Sequence, residues 1–208
     1  MNIRALLLSL SALLSGCIIF DKKSEAVVFH QFAAPSAVPP TSGMPLFIPR
    51  AIIPSALRRP NVVLIDNHGW VHVEDAHRWI APLDRALPET MGRHLNALGG
   101  ARTANQTPPE DHLVLLLTMD KMEIVAPDEP EPSIFSLPGS SVKAGSASFQ
   151  ITCRLEKSDG TLVGVRTLSA SRPLKDRTPA SFVQAQSANV AAASAELAKW
   201  LPLASSSK

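Results

Sequence analysis

Residues Ser146–Lys157, with the sequence SASFQITCRLEK, and the turn SDGT that follows at 158–161 decide the fold of this chain. Apolar and polar residues alternate along the first segment, which is the period of a strand with one buried and one solvated face. The apolar set is Phe149, Ile151, Cys153 and Leu155. Asp159-Gly160 tolerates the positive φ angles of a tight hairpin, so the return strand is predicted over residues 162–171. Cys153 therefore faces the core as a small apolar residue and not as a redox centre.

Four more segments upstream of this hairpin have the composition of strands. Leu113–Val125 is predicted as a strand, with Leu113, Leu115, Leu117 and Met119 on one parity and Val114 and Leu116 on the other. Residues 46–53 and 62–65 are apolar on both faces, as in strands that are covered on both sides. Pro49 argues against a central position for the segment 46–53, because proline cannot donate to a ladder of hydrogen bonds. Residues 70–74 alternate as a half-exposed strand.

The first helix is predicted between the strands. Apolar residues recur at helical spacing over residues 79–98, and Gly99 supplies a stop. Pro82 suits the first turn, where its missing N–H costs nothing, but Pro88 predicts a kink or the start of a new segment. Residues 101–112 are polar and contain prolines, so a loop is predicted there.

A second helix closes the chain. Thr178 is a plausible cap, and Pro179 suits the first helical position. Its buried face is predicted from a 3.6-residue period as Phe182, Gln186, Val190, Ala193, Leu197 and Leu201. Helices interleaved with strands indicate an α/β fold, with a single domain in which two main helices pack on one mixed sheet.

The N-terminus has the layout of a secretory signal. A charged start ending at Arg4 precedes an apolar run and the small pair Ser15-Gly16, which is followed by Cys17. The apolar run holds about ten residues, fewer than the roughly 20 that a membrane-spanning helix needs. The small pair before cysteine resembles a bacterial lipobox, which implies diacylglycerol transfer to Cys17, cleavage after Gly16 and acylation of the new amine. A secreted protein with Cys17 in a disulfide and a buried anchor helix are the alternatives.

Domain boundaries follow from this layout. Residues 1–16 are predicted as a lipoprotein signal peptide, residues 17–45 as the lipidated cysteine with a flexible tether, and residues 46–203 as the folded domain. Small residues and prolines without an apolar period dominate residues 33–43. Residues 26–29 are apolar and form either an edge strand that returns to the domain or an apolar segment of the linker.

Composition argues against several classes of partner. The 208 residues carry 20 Lys and Arg against 18 Asp and Glu, a net charge of +2. No concentrated basic face is evident, so no nucleic-acid partner is predicted. The acidic proline-rich run at 127–132 is predicted to be a solvated loop, with a partner-binding patch as the alternative.

No catalytic or metal motif emerges from the sequence. His68 and His72 are four residues apart, but in a turn and strand that spacing covers about 13 Å. Both ligands of one zinc ion lie about 2 Å from it, so this pair cannot share an ion unless the backbone folds back. Asp75, His77 and a nearby serine are the residue types of a catalytic triad, but any chain of this length contains such a set. The sequence has no nucleophile elbow, phosphate loop or metalloprotease signature. The sequence therefore predicts no enzyme, no cofactor and no metal.

Three short segments form one motif: Pro54-Ser55-Ala56-Leu57, then Val62-Val63, then Arg78-Trp79-x-x-Pro82-Leu83. This motif resembles the ABC-type transport auxiliary lipoprotein family, the PqiC/YmbA group. The lipobox, the strand from Leu113, the Asp-Gly hairpin and an alanine-rich last helix also come in that family's order. The motif residues, which are expected to pack and not to act, are Pro54, Arg78, Trp79, Pro82 and Leu83. Trp79 is expected between sheet and helix, and Arg78 is expected to pair with a neighbour.

This resemblance implies an outer-membrane lipoprotein that faces the periplasm and works with MCE-domain proteins and an ABC-type machine in moving lipids between membranes. Ile18, and not Asp, follows the cysteine, which in enteric-type sorting favours the outer membrane. A homo-oligomer is implied by the same analogy. The chain has no tyrosine, whereas the family often has a tyrosine-rich strand after the tether, for which residues 28–32 would have to stand in. A lipid-anchored periplasmic hydrolase and a lipoprotein that aids outer-membrane protein assembly are the alternative functions.

Overall fold

The computed structural model describes residues 25–35, 43–66, 68–125 and 145–206. The strands within these ranges are β1 (Val28–His30), β2 (Met44–Phe47), β3 (Asn61–Ile65), β4 (Val71–Trp79), β5 (Ala101–Ala104), β6 (Leu113–Val125), β7 (Ser146–Lys157) and β8 (Leu162–Pro173). The helices are α1 (Leu83–Ala97) and α2 (Pro179–Ser206), and a single 3-10 turn covers Ser55–Leu57. The predicted signal peptide, Cys17 and the acidic run at 127–132 lie outside the described residues. No helix in the described part is long and apolar enough to cross a membrane.

The strands form two mixed sheets in one α/β domain, where the sequence predicts one sheet. The larger sheet has the order β5-β2-β6-β7-β8, with β2 parallel to both of its neighbours and the rest antiparallel. The smaller sheet has the order β1-β4-β3. The two sheets are separate because β4 pairs with β3 on one side and with β1 on the other, and therefore not with a strand of the larger sheet. A parallel bridge from Asp66 to Ile124 on β6 connects the end of β3 to the larger sheet.

The β7–β8 hairpin confirms the prediction made from its alternation. Gly160 adopts a φ of +84°, and the Lys157 N–H donates to the Thr161 carbonyl at 2.9 Å across the turn. Cys153 is fully buried, and burial raises the pKa of its thiol to about 12. Because the thiolate is the reactive form, this cysteine is inert and fills core volume.

Strand β1 moves the start of the folded domain ahead of the predicted boundary at residue 46. It pairs in parallel with β4, from Val28 opposite His77 to His30 opposite Trp79. Phe32 is 5% exposed, and its ring centroid lies 4.9 Å from that of Trp79. Of the two readings of the apolar stretch near residue 28, the edge strand is correct, because ring burial and backbone pairing tie the segment to the domain.

Two other segments differ from the predictions. Strand β2 ends at Phe47, before Pro49, so the predicted strand over 46–53 is too long. The first part of the predicted loop at 101–112 is β5, which pairs in parallel with β2. The backbones of β2 and β5 approach each other closely next to Gly43, which has a φ of +114°. A Cβ added to Gly43 would lie 3.0 Å from the Ala101 carbonyl carbon.

Helix α1 continues through Pro88, so no new segment starts there. Proline has no N–H, and the carbonyl of Asp84, four residues earlier, therefore loses its helical partner. That carbonyl instead accepts a hydrogen bond from the N–H of Ala51 at 2.8 Å. The proline thus frees an acceptor that ties α1 to the segment after β2. Pro82 is the N-cap residue and lies just outside the helix, and not within its first turn.

Helix α2 follows the prediction closely. The Thr178 hydroxyl accepts a hydrogen bond from the Ser181 N–H at 3.2 Å, as a cap does. All six predicted face residues are buried. Two side-chain amides attach the helix to β7: Gln186 Nε2 donates to the Ser148 carbonyl at 3.0 Å, and Asn189 Nδ2 donates to the Ala147 carbonyl at 2.9 Å.

Candidate binding groove

A groove of about 580 Å³ lies between the segment after β2 and the turn that joins β4 to α1. Residues 50–53 and 58–60 form one wall, and residues 79–84 form the other. We call this cavity the arginine groove, after Arg50, Arg58 and Arg59 in its lining. Pockets for small ligands are typically about 300–1,000 Å³, so the cavity is large enough to hold one.

Backbone hydrogen bonds fix both walls of the arginine groove. The Ala51 N–H donates to the Asp84 carbonyl at 2.8 Å, and the Trp79 N–H donates to the Pro60 carbonyl at 2.7 Å. Ile52 makes both of its backbone hydrogen bonds with β6. The groove is therefore a preformed feature of the fold, because backbone hydrogen bonds join its two walls to each other and one of them to β6.

The charge of the arginine groove is positive. Arg50 Nη1 lies 3.4 Å from Asp84 Oδ2, but the Arg50 side chain is 72% exposed, and an exposed pair of this kind contributes little stability. Arg58 Nε donates to the Ile53 carbonyl at 3.3 Å, which orients its guanidinium. Arg59 is exposed and has no ion pair or side-chain hydrogen bond with any described residue. Three guanidinium groups thus face one carboxylate.

The same groove also has an apolar part. Ile52 and Ile80 line it and are 62% and 66% exposed, which is high for such large apolar side chains. Trp79 lines it too and is only 4% exposed, yet its indole Nε1–H has no acceptor within the described ranges. A buried donor without a partner costs about 1–3 kcal/mol. The groove therefore offers apolar surface next to cationic groups.

The sequence model of the ABC-type transport auxiliary lipoprotein component matches residues 30–129, a span that contains the whole groove. Over these residues the chain is similar to the ABC-type transport auxiliary lipoprotein family. This confirms the resemblance seen in the sequence.

Two solved structures share the fold of this chain. An uncharacterized protein superposes with a TM-score of 0.66 at 17% identity, covering 85% of this chain and 99% of that chain. A protein of the DUF330 family from Xanthomonas campestris superposes with a TM-score of 0.65 at 17% identity, covering 86% of this chain and 96% of that chain. Identities this low show a common fold and nothing about shared ligands. No curated protein matches the chain.

The family-motif residues gather at the arginine groove. Trp79, Pro82 and Leu83 line it, and Pro54 precedes the 3-10 turn beside it. Trp79 is buried as expected. Arg78 is exposed and forms no ion pair within the described part of the chain, in contrast to the expected pairing. The motif that looks structural in the sequence therefore also shapes a cavity.

Sequence reasoning missed the arginines of the groove. Arg58 and Arg59 are adjacent in the chain and visible as a basic pair before Pro60, but Arg50 joins them only through the fold. The available signal was the basic pair within a proline-bounded turn. That signal alone does not distinguish a binding surface from an ordinary solvated turn.

A second cluster, the histidine pair, was also missed. His30 Nε2 and His77 Nδ1 lie 2.8 Å apart, and the two rings stack with centroids 5.1 Å apart. The pair exists because β1 and β4 are neighbours, although the residues are 47 positions apart in the chain. His72 lies elsewhere, 3.4 Å from Glu74. No group of three metal-ligating side chains forms among the residues with described positions.

We expect the stability of this protein to fall as the pH drops below about 6.5. Burial and the neighbouring His77 lower the pKa of His30 below its usual 6.5. The unfolded chain therefore takes up a proton at a higher pH than the folded chain, which favours unfolding only on the acidic side. Above that pH both states hold a neutral His30, and the effect is absent.

Urea unfolding midpoints measured between about pH 8 and pH 5 test this expectation. His30→Gln should flatten part of the acidic decline, whereas His68→Gln, in an exposed turn, should keep the wild-type profile. Equal acidic declines in the His30→Gln variant and the wild type would show that the histidine pair does not contribute.

Proposed function

We propose that this protein is a non-enzymatic outer-membrane lipoprotein that serves as an accessory of an ABC-type machine moving lipids between the inner and outer membranes. Acyl chains on Cys17 anchor it, the folded domain faces the periplasm, and an MCE-domain protein of the same system binds it. Copies of the chain associate into a homo-oligomer. The family match over residues 30–129 carries the proposal.

Sequence features outside the match support the membrane part of the proposal. The small pair Ser15-Gly16 before Cys17 supports lipidation, and two or more acyl chains give stable attachment, since one chain binds only marginally. Ile18 after the cysteine supports the outer membrane as destination. The tether then sets how far the domain stands from the bilayer.

The chemistry of the described groups supports a binding role. His77, the base of the hypothetical triad, is hydrogen-bonded to His30, and no serine among the described residues is its partner. The Cys153 thiol is buried and protonated at neutral pH. The arginine groove, in contrast, presents exposed apolar and cationic groups, which suit recognition more than bond-breaking.

A pull-down of the tagged full chain, extracted from membranes in mild detergent, tests the proposal when the eluate is analysed by mass spectrometry. We expect an MCE-domain protein to be enriched over a control bait, an unrelated lipoprotein of the same membrane. If the eluate contains a β-barrel protein and no MCE-domain protein, the result would favour a role in outer-membrane protein assembly instead. Light scattering on the purified chain then gives the number of copies in the oligomer.

A further inference from the structure

We propose that the arginine groove binds one molecule of an acidic phospholipid, with the phosphate on the arginines and an acyl chain along Ile52 and Ile80. The inference deepens the proposed function and rests on it for the presence of lipid near this chain. It adds a direct lipid contact, which neither the family match nor the fold assigns.

The cationic groups fit a phosphate. A guanidinium offers paired N–H donors in a plane that matches phosphate oxygens, and these charge-assisted hydrogen bonds are among the stronger ones. Arg59 has no described partner to give up, and Arg50 is held only by one long contact of 3.4 Å to Asp84. Since three guanidiniums face one carboxylate, an anionic headgroup leaves the site closer to neutral.

The apolar side of the groove fits the rest of the ligand. Ile52 and Ile80 each keep more than half of their surface in water, so a hydrocarbon chain laid between them removes that surface. A free inorganic phosphate satisfies the charges but leaves this apolar surface uncovered.

A peptide ligand fits less well than a lipid. Peptides that add a strand need free backbone groups on the receiving edge. The backbone N–H groups of Ala51, Ile52 and Trp79 in the walls already donate to other carbonyls. A volume of about 580 Å³ also suits a small molecule more than a protein segment.

Binding of short-chain lipids to the full chain, purified in detergent, tests the proposal. Titration calorimetry with dioctanoyl phosphatidylglycerol is expected to give a saturable site with one lipid per chain. Dioctanoyl phosphatidylcholine has the same phosphate but also a quaternary ammonium, which the guanidinium groups repel, so it is expected to bind about tenfold more weakly. Inorganic phosphate at the same concentration is expected not to compete.

Substitutions localise the site. Arg59→Ala and Ile80→Ser are each expected to weaken binding of the acidic lipid about tenfold, through the lost charge and the lost apolar contact respectively. The matched controls are Arg172→Ala and Val165→Ser, which change the same residue classes on the exposed part of β8 and should bind like the wild type. Unfolding midpoints of all four variants show whether each is folded.

Equal binding of the two lipids, displacement by inorganic phosphate, or unchanged binding in a folded Arg59→Ala variant would each overturn the inference. Stable binding of an acidic peptide in place of lipid would overturn it as well. The proposed function fails separately: it requires an MCE partner in the pull-down, which does not depend on lipid binding by the purified chain. If the pull-down finds an MCE partner but the purified chain binds no lipid, the proposed function stands and only the assignment of the groove as a lipid site is refuted.

Discussion

Replacement of Phe182 by alanine is expected to lower the free energy of unfolding by about 3–5 kcal/mol, the range for truncating a buried phenylalanine. Phe182 is fully buried near the start of α2 and is among the largest enclosed side chains. Its loss opens a cavity between α2 and the sheet that the surrounding structure fills only in part. Chemical unfolding of the full chain, followed by far-ultraviolet circular dichroism, measures the change.

The matched control for this substitution is Phe29→Ala. Phe29 belongs to β1 and is 62% exposed, so the same chemical change is expected to cost less than about 1 kcal/mol. Similar losses for the two variants would mean that α2 does not enclose Phe182 as described. A larger loss for Phe29 would show that β1 is buried by a partner, such as a second copy.

The second large effect concerns the membrane. Cys17→Ala is expected to move the protein almost completely from the membrane fraction to the soluble fraction, because the acyl chains have no thiol to attach to. Fractionation of cells that express the tagged full chain, followed by immunoblotting, measures the distribution.

Cys153→Ala is the control for this experiment. Cys153 is buried in the core and is not exposed to lipid-modifying enzymes, so its replacement should leave the protein in the membrane fraction. Mass spectrometry of the N-terminal peptide should find diacylglycerol on Cys17 of the wild type. A Cys17→Ala protein that stays with the membrane would refute the lipobox interpretation.

The elements predicted well from the sequence are those fixed by near neighbours in the chain. The β7–β8 hairpin depends on alternation and on one Asp-Gly turn, and α2 depends on a cap at Thr178 and a regular apolar face. The apolar run of β6 also predicts the bounds that the structure has. Each signal lies within a window of residues that the element itself contains.

The elements predicted poorly are those that form through parallel pairing across long stretches of chain. Strand β5 has the sequence ARTA, which carries no apolar alternation, and it becomes a strand because β2 lies beside it. Strand β1 needs β4 in the same way. The split into two sheets follows from these pairings, so periodicity alone gives no sign of it.

The candidate site escaped prediction for a related reason. The arginine groove has walls from residues 50–60 and residues 79–84, and the histidine pair joins His30 to His77. The family motif pointed to the right part of the chain, since Trp79 and Pro82 line the groove. It did not show that the motif borders a cavity, because a cavity depends on the distance between walls.

Strand β1 also has a mechanical consequence. It is the first described element after the predicted anchor, so a pull on the anchor reaches the domain through three residue pairs with β4. Tension along the strand axis loads those pairs in shear, and they share the force before any of them yields. His30 lies opposite Trp79, which lines the groove, so a stretched tether acts on the groove wall without an intervening element.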